Sequence, residues 1–208
     1  MKQAQSSISI NSLYCAIDSK VILSDINFSL ISGQSVTITG QNGVGKTLLL
    51  NTIMGFKSIF KGKITINKIN LSNDPSNRQE QLGYYGHKAS LHTGLHVMEI
   101  VEYWKAYYNS NATTSDLIKF WDLPNKTVEN CSEGQRKRIA LVRLILMNRN
   151  IWILDEPTTN LDFIGKKKFL ELHTSHLREG GLSIITSHEP AQFDGSKIIN
   201  LERHCGKN

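Results

Sequence analysis

The spacing of apolar positions along the chain changes period several times, and each change marks an element. Residues 7–14 and 20–31 alternate or cluster β-branched and apolar side chains around the polar turn Asp18-Ser19-Lys20, which predicts two strands at one end of a sheet. A third apolar run, residues 35–39, leads into a glycine-rich segment, and a helix-like run follows over residues 48–56. Phe60-Lys61-Gly62 then turns the chain into a short alternating strand, residues 63–67. Residues 72–81, rich in Asn, Ser, Asp, Pro and charge, predict a surface loop or a poorly ordered excursion.

From residue 91 to about 130 the spacing becomes helical, with Val97, Val101, Trp104 and Tyr108 on one stripe and Leu117, Ile118 and Trp121 on another. These predict a small helical lobe inserted into an α/β core, its aromatics serving mainly as packing. Cys131-Ser132-Glu133-Gly134-Gln135 opens a strongly apolar helix running to about residue 147. Residues 151–154 read as a fully buried strand that ends at once in Asp155-Glu156-Pro157. A helix is expected over residues 163–178, a break at Gly180-Gly181, a second buried strand over 182–186 and a last short strand over 197–201. Strands alternating with helices imply a mostly parallel sheet covered on both faces.

The glycine-rich segment is the first candidate for chemistry. It reads Gly40, Gln41, Asn42, Gly43, Val44, Gly45, Lys46, Thr47, between a predicted strand and a predicted helix. Glycines at this spacing let the backbone fold tightly and aim successive N–H groups at phosphate oxygens, and the helix that follows adds its positive end. Lys46 can reach the β and γ phosphates, and the Thr47 hydroxyl can take one position on Mg²⁺.

A phosphate loop needs a second carboxylate on the metal side, and Asp155 stands at the carboxyl end of a strand, where one is required. Glu156 would point elsewhere, so the two can divide labour, one on the metal and one as general base toward the attacking water. Ser132 followed by Gln135 at a helix start is a capping box. The same turn, with exposed N–H groups and a helix dipole, is an anion site. Since the phosphate loop already supplies one such site, a second terminus on the same γ-phosphate comes most simply from another copy of the chain.

Taken in order, residues 40–47, 131–135, Asp155-Glu156-Pro157-Thr158, Leu161-Asp162 and His188 resemble the phosphate loop, signature, strand carboxylates, D-loop and switch histidine of ABC transporter ATPase subunits. The resemblance implies a P-loop NTPase of the ABC ATPase type: a mostly parallel sheet core with an N-terminal antiparallel β portion and an inserted helical subdomain. On that pattern residues 1–208 form one ABC ATPase domain, with the nucleotide-binding core in 1–86 and 148–208 and the helical subdomain in about 87–147. It also implies a head-to-tail homodimer with ATP and Mg²⁺ between the subunits. Residues Gly40 to Leu48 would hold ATP, with Thr47 and Asp155 on the metal. Ser132, Glu133, Gly134 and Gln135 would reach the other subunit's ATP, and Lys46, Glu156 and His188 would be catalytic, with Asp162 in the D-loop.

Some positions depart from the family pattern. The glutamine expected after the next strand, which couples nucleotide to the membrane partner, is His87 here; the signature begins with Cys131 in place of leucine; Leu48 replaces a hydroxyl residue. The aromatic that would stack on adenine aligns nearer Ile17 than Tyr14. Gly86-His87, the run 98–104, the Trp152 strand and Gly180-Gly181 leading to residues 186–190 resemble one branch of the family, the CcmA-type ATPases of cytochrome c maturation. That branch implies a CcmB-like integral membrane permease subunit with a CcmC-like component as partners, a peripheral position on the cytoplasmic face of the inner membrane, and haem that is not bound by this subunit directly. The alternatives are the ATPase of another small ABC exporter and, as a poorer match, a non-transport ABC ATPase.

The bulk numbers narrow this little. A net charge of +6 in 208 residues is compatible with nucleic acid, an anionic membrane or neither, and the missing second cassette and missing long coiled-coil insertion speak against a nucleic-acid partner. Cys15, Cys131 and Cys205 have no metal-ligand or disulfide-scaffold spacing, which fits a reducing compartment. No run approaches the length of a membrane span, and residues 1–10 lack the pattern of a secretory leader, so the chain is expected to stay where it is made.

Overall fold

The computed structural model describes residues 5–86 and 91–205. In chain order its elements are β1 (Ser7–Ile17), β2 (Lys20–Ile31), β3 (Ser35–Thr39), α1 (Lys46–Met54), β4 (Lys61–Ile66), β5 (Ile69–Asn70), α2 (Pro75–Gln81) and β6 (Leu82–Tyr85). They continue with α3 (Val97–Tyr107), α4 (Thr114–Trp121), α5 (Glu133–Leu146), β7 (Ile151–Asp155), α6 (Phe163–Arg178), β8 (Leu182–Thr186) and β9 (Lys197–Asn200).

Two sheets form. β1 and β2 make an antiparallel hairpin whose turn residues Asp18 and Ser19 both have positive φ, 47° and 66°, the conformation whose twist suits a two-residue connection. β4 and β5 extend this sheet in the order β2-β1-β4-β5. The second sheet is wholly parallel, ordered β6-β7-β8-β3-β9. The first two strands thus lie at one end of a sheet, as expected, and that sheet is separate from the parallel one.

Alternation along the central strands divides the core in two. Ile151, Ile153 and Ile184 face the antiparallel sheet and α1, where they meet Leu49, Leu50 and Ile53. Trp152, Leu154 and Ile185 face the other way, into a cluster with Trp121, Ile139 and Phe169 from α4, α5 and α6. A strand buried on both faces has no polar side to show, which is why β7 and β8 are buried at every position.

The segment 72–81 is a correction. Its second part is α2, with Asp74 accepting from the Asn77 N–H as N-cap and Pro75 at the first helical position. Asp-Pro at a helix start signals an N-terminus, and the polar composition hid it. Arg78 on this helix is buried, and its Nη1 donates to the carbonyls of Thr52 and Ile53 at 2.7 and 3.4 Å, closing the C-terminal end of α1. Among the aromatics of the helical lobe, Trp121 is fully buried, but Tyr103 and Tyr107 on α3 are 59% and 69% exposed.

Candidate functional site

Three strand ends and one helix start converge on a cavity of about 550 Å³, lined in part by Asn42, Gly43, Lys46, Thr47, Glu156 and His188. Leaving β3, residues 40–45 wrap back to start α1, with Gly43 at φ 80° and Gly45 at φ 110°. These values are costly for a residue with a Cβ, and at Gly45 a Cβ would also press on the Leu23 side chain at 3.2 Å. Leu48 stands on the rim of the cavity in place of a hydroxyl residue.

Lys46, 6% exposed, turns back over the loop and donates to the carbonyls of Gly40 at 2.9 Å and Gln41 at 3.4 Å. Its Nζ also lies 3.8 Å from Glu156 Oε1 and 3.3 Å from His188 Nε2. His188 Nε2 is in turn 3.0 Å from the same Glu156 oxygen. One carboxylate oxygen therefore sits between an ammonium and an imidazole, at the mouth of the phosphate loop.

Asp155 ends β7 with its side chain buried. The Thr47 hydroxyl donates to Asp155 Oδ2 at 2.9 Å and the Thr186 hydroxyl to Oδ1 at 2.7 Å. Thr186 also accepts from the Glu156 N–H at 2.9 Å. Glu156 needs that anchor because it sits at φ 50°, in the left-handed region that L-residues with long side chains avoid. Neighbouring carboxylates thereby diverge: Asp155 points to Thr47 and Glu156 to His188. The oxygens of Thr47 and Asp155 are hard donors side by side, and a hydroxyl that donates its proton to Asp155 keeps lone pairs for a cation, so these residues fit Mg²⁺.

The signature residues do not line this cavity. Ser132 caps α5, its Oγ accepting from the Gln135 N–H at 3.2 Å while Gln135 Oε1 accepts from the Ser132 N–H at 3.0 Å, so the capping box is present. Glu133 accepts from Asn160 Nδ2 at 2.6 Å, which ties the start of α5 to the turn after β7. Cys131 is buried with its Sγ toward the Thr127 carbonyl, filling the apolar place expected of leucine. Asp162 is the N-cap of α6, accepting from the Gly165 N–H at 2.8 Å. Tyr14 lies under Lys61, Nζ 5.2 Å from the ring centroid, and Ile17 is half exposed at the end of β1. His87 lies outside the described residues.

Thr186, Thr159 and Asn160 were not singled out from the sequence. Thr159 Oγ1 lies 3.3 Å from Glu156 Oε2 and completes the setting of that carboxylate. Thr186 reaches Asp155 because the two are register partners between β7 and β8, and pairing register cannot be read from either strand alone.

The family model described as ABC transporter matches residues 23–159. The chain belongs to the ABC transporter ATP-binding family. Among curated members, a cytochrome c biogenesis ATP-binding export protein CcmA from Histophilus somni is 33% identical over 206 residues, covering 95% of this chain and 94% of the relative. The protein of the same name from Escherichia coli K12 is 31% identical over 198 residues, covering 91% and 92%. Two solved structures share the ABC cassette fold. One is an ATP-binding subunit of an ABC transporter (TM-score 0.81, 21% identity, 93% of this chain and 85% of that one). The other is a dimeric ATP-binding cassette in a post-hydrolysis state bound to ADP and Pi (TM-score 0.78, 20% identity, 93% and 94%). As an ABC cassette the chain is an ATP-binding transporter subunit, and no helix among its described residues is long and apolar enough to cross a membrane.

Proposed function

We propose that this chain is the ATP-hydrolysing subunit of an ABC complex that drives haem export, or release of a haem-loaded chaperone, in cytochrome c biogenesis. The observation that carries the hydrolytic part is the placing of Glu156 between Lys46 and His188 at the mouth of the phosphate loop, at 3.8 and 3.0 Å. The haem part rests on the name shared by the CcmA relatives.

In this reading Gly40, Gln41, Asn42, Gly43, Val44 and Gly45 present backbone N–H groups to the phosphates, and Lys46 leaves the loop carbonyls for the β and γ oxygens. Thr47 and Asp155 hold Mg²⁺, which when bound spreads the charge of the phosphates. Glu156 Oε1 takes a proton from the attacking water, with His188 beside it to place that water. A second copy completes the site with Ser132, Glu133, Gly134 and Gln135. Among the described residues no hydrogen bond engages the N–H of Glu133 or Gly134, in keeping with a helix start that meets a phosphate from outside its own subunit. Asp162 belongs to the turn that meets the partner copy. A CcmB-like permease subunit, with a CcmC-like component, receives the stroke through His87, with the ATPase on the cytoplasmic face.

The test is covalent haem on periplasmic c-type cytochromes in a cell lacking its own maturation ATPase, supplied with this chain or its Glu156→Gln form. Both forms are first shown to reach the membrane fraction. Rescue by the wild type and not by the variant is expected. Assembly with the host permease without rescue by the wild type would reduce the reading to an ABC ATPase of another small exporter.

A further inference from the structure

The chain comes back to the phosphate loop near its far end. β9 runs parallel to β3 with Asn200 opposite Thr39, so the two strands end side by side, one in the loop and the other in a one-turn 3-10 helix, Leu201–His204. Leu201 is fully buried, and a Cβ on Gly40 would lie 3.7 Å from its Cβ. The Asn200 side chain accepts from the Glu202 N–H at 2.9 Å and caps this turn. At its other end the Ser24 hydroxyl donates to the His204 carbonyl at 3.3 Å, and Leu23 forms a β-bridge with Cys205. Leu23 is also the side chain against which Gly45 packs. The turn is therefore fixed to the start of the loop directly and to its end through Leu23.

From this turn Glu202 reaches into the loop. Its Oε1 accepts from the Gln41 N–H at 3.3 Å, across 161 positions. The carbonyl of the same peptide group, that of Gly40, accepts from Lys46 Nζ at 2.9 Å. A carboxylate and an ammonium thus hold one peptide plane from opposite sides, and each charge strengthens the other's hydrogen bond. The Gln41 carbonyl accepts in turn from the Val44 N–H at 3.3 Å and from Lys46 Nζ at 3.4 Å. The Gln41 backbone is the hub about which the loop closes. Gly40 before it stands at φ 143°, a conformation open to glycine, and without a Cβ little in the residue itself fixes that peptide. An anchor from outside the loop does so instead.

We propose that Glu202 is a positioning residue for ATP binding: by fixing the Gly40–Gln41 peptide it keeps the phosphate loop in its cradle shape. It acts through the backbone, since neither Gln41 nor Glu202 lines the cavity. That narrows the proposed cradle: with the Gln41 N–H engaged inside the subunit, the phosphates fall to N–H groups further along the loop. What position 202 must supply is an acceptor oxygen, because a negative charge by itself works against a triphosphate nearby. The inference rests on the reading of residues 40–47 as the ATP cradle.

The test uses the complex co-purified with its membrane partner. Affinity is read by ATP displacing trinitrophenyl-ATP without Mg²⁺, and kcat and KM are measured with Mg²⁺. Glu202 is exposed, so its replacement should leave the fold in place. Glu202→Ala is expected to weaken ATP affinity about threefold to tenfold, the worth of one hydrogen bond, with KM rising in step and kcat within about twofold. Glu202→Gln keeps an acceptor oxygen and should bind ATP within about twofold of wild type. Equal affinities for the alanine and glutamine variants, whether above or below wild type, would overturn the acceptor role. So would a fall in Tm with affinity unchanged, or a loss confined to kcat. If ATP displaces no probe from the wild type, the cradle reading falls and the positioning role falls with it.

Discussion

Thr186→Val is the sharpest test of how the site is built. The buried Thr186 hydroxyl donates to Asp155 Oδ1 at 2.7 Å and accepts from the Glu156 N–H at 2.9 Å. Valine keeps the shape and the β-branched fit to the strand but can do neither. A hydrogen bond to a charged group contributes about 1.5–3 kcal/mol, and a buried N–H left without a partner costs about 1–3 kcal/mol. Some of this returns if Glu156 relaxes from its left-handed backbone, which is worth about 1–2 kcal/mol. The net expectation is a destabilisation of about 2–4 kcal/mol, or roughly 4–16 °C in Tm for a chain of this size. Catalysis should suffer separately, since relaxation of Glu156 carries its carboxylate away from His188. We expect kcat for ATP to fall about tenfold or more, with a smaller change in KM because Lys46 and Thr47 keep their places. Thr186→Ser, which retains the hydroxyl, should stay near wild type in kcat. Denaturant titration and steady-state hydrolysis on the three proteins decide the matter. A valine variant within about 0.5 kcal/mol of wild type and equally active would refute the bridge between the two carboxylates.

Two further outcomes concern buried titratable side chains elsewhere. His173 and His176 on α6 are both held down to about 4 by burial, His173 at 2.7 Å from Ser183 Oγ and His176 stacked on Trp152 with centroids 3.6 Å apart. Both stay neutral in the fold while the unfolded chain takes up protons near 6.5, so stability is full above that pH and falls as pH drops from about 6.5 toward 4, by up to about 3 kcal/mol for each. His176→Phe, which keeps the stacking, should flatten that decline in urea titrations between pH 7 and 4.5; an unchanged slope would count against it. Arg78→Ala should cost about 3 kcal/mol by leaving the carbonyls of Thr52 and Ile53 at the end of α1 without their donor. Unfolding by circular dichroism checks this, and a loss under about 1 kcal/mol would mean that water replaces the guanidinium.

Local chemistry made much of the molecule readable. The strand 35–39, the helix 163–178 and the strand 182–186 lie where the apolar spacing puts them, because each is long enough, or buried enough, for its period to dominate. The glycines of residues 40–45, the box from Ser132 to Gln135 and the strand exit at Asp155 act through their immediate neighbours, so composition and spacing are enough to find them. The polar segment before β6 misled for the opposite reason: α2 is stabilised by Asp74, Pro75 and the buried Arg78, none of which contributes to an apolar stripe.

By itself the sequence determined the kind of chemistry, since a phosphate cradle, a strand-end carboxylate pair and a capped signature helix are all written in short contiguous segments. Only the tertiary structure decided which of these meet. Thr47 reaches Asp155 across 108 positions, Thr186 reaches it across 31, and Lys46 meets His188 across 142. Those contacts depend on the strand order β7-β8-β3 and on the register between Asp155 and Thr186. Side-chain spacing specifies each element's faces, but which faces and ends are brought together depends on packing between segments far apart in the chain.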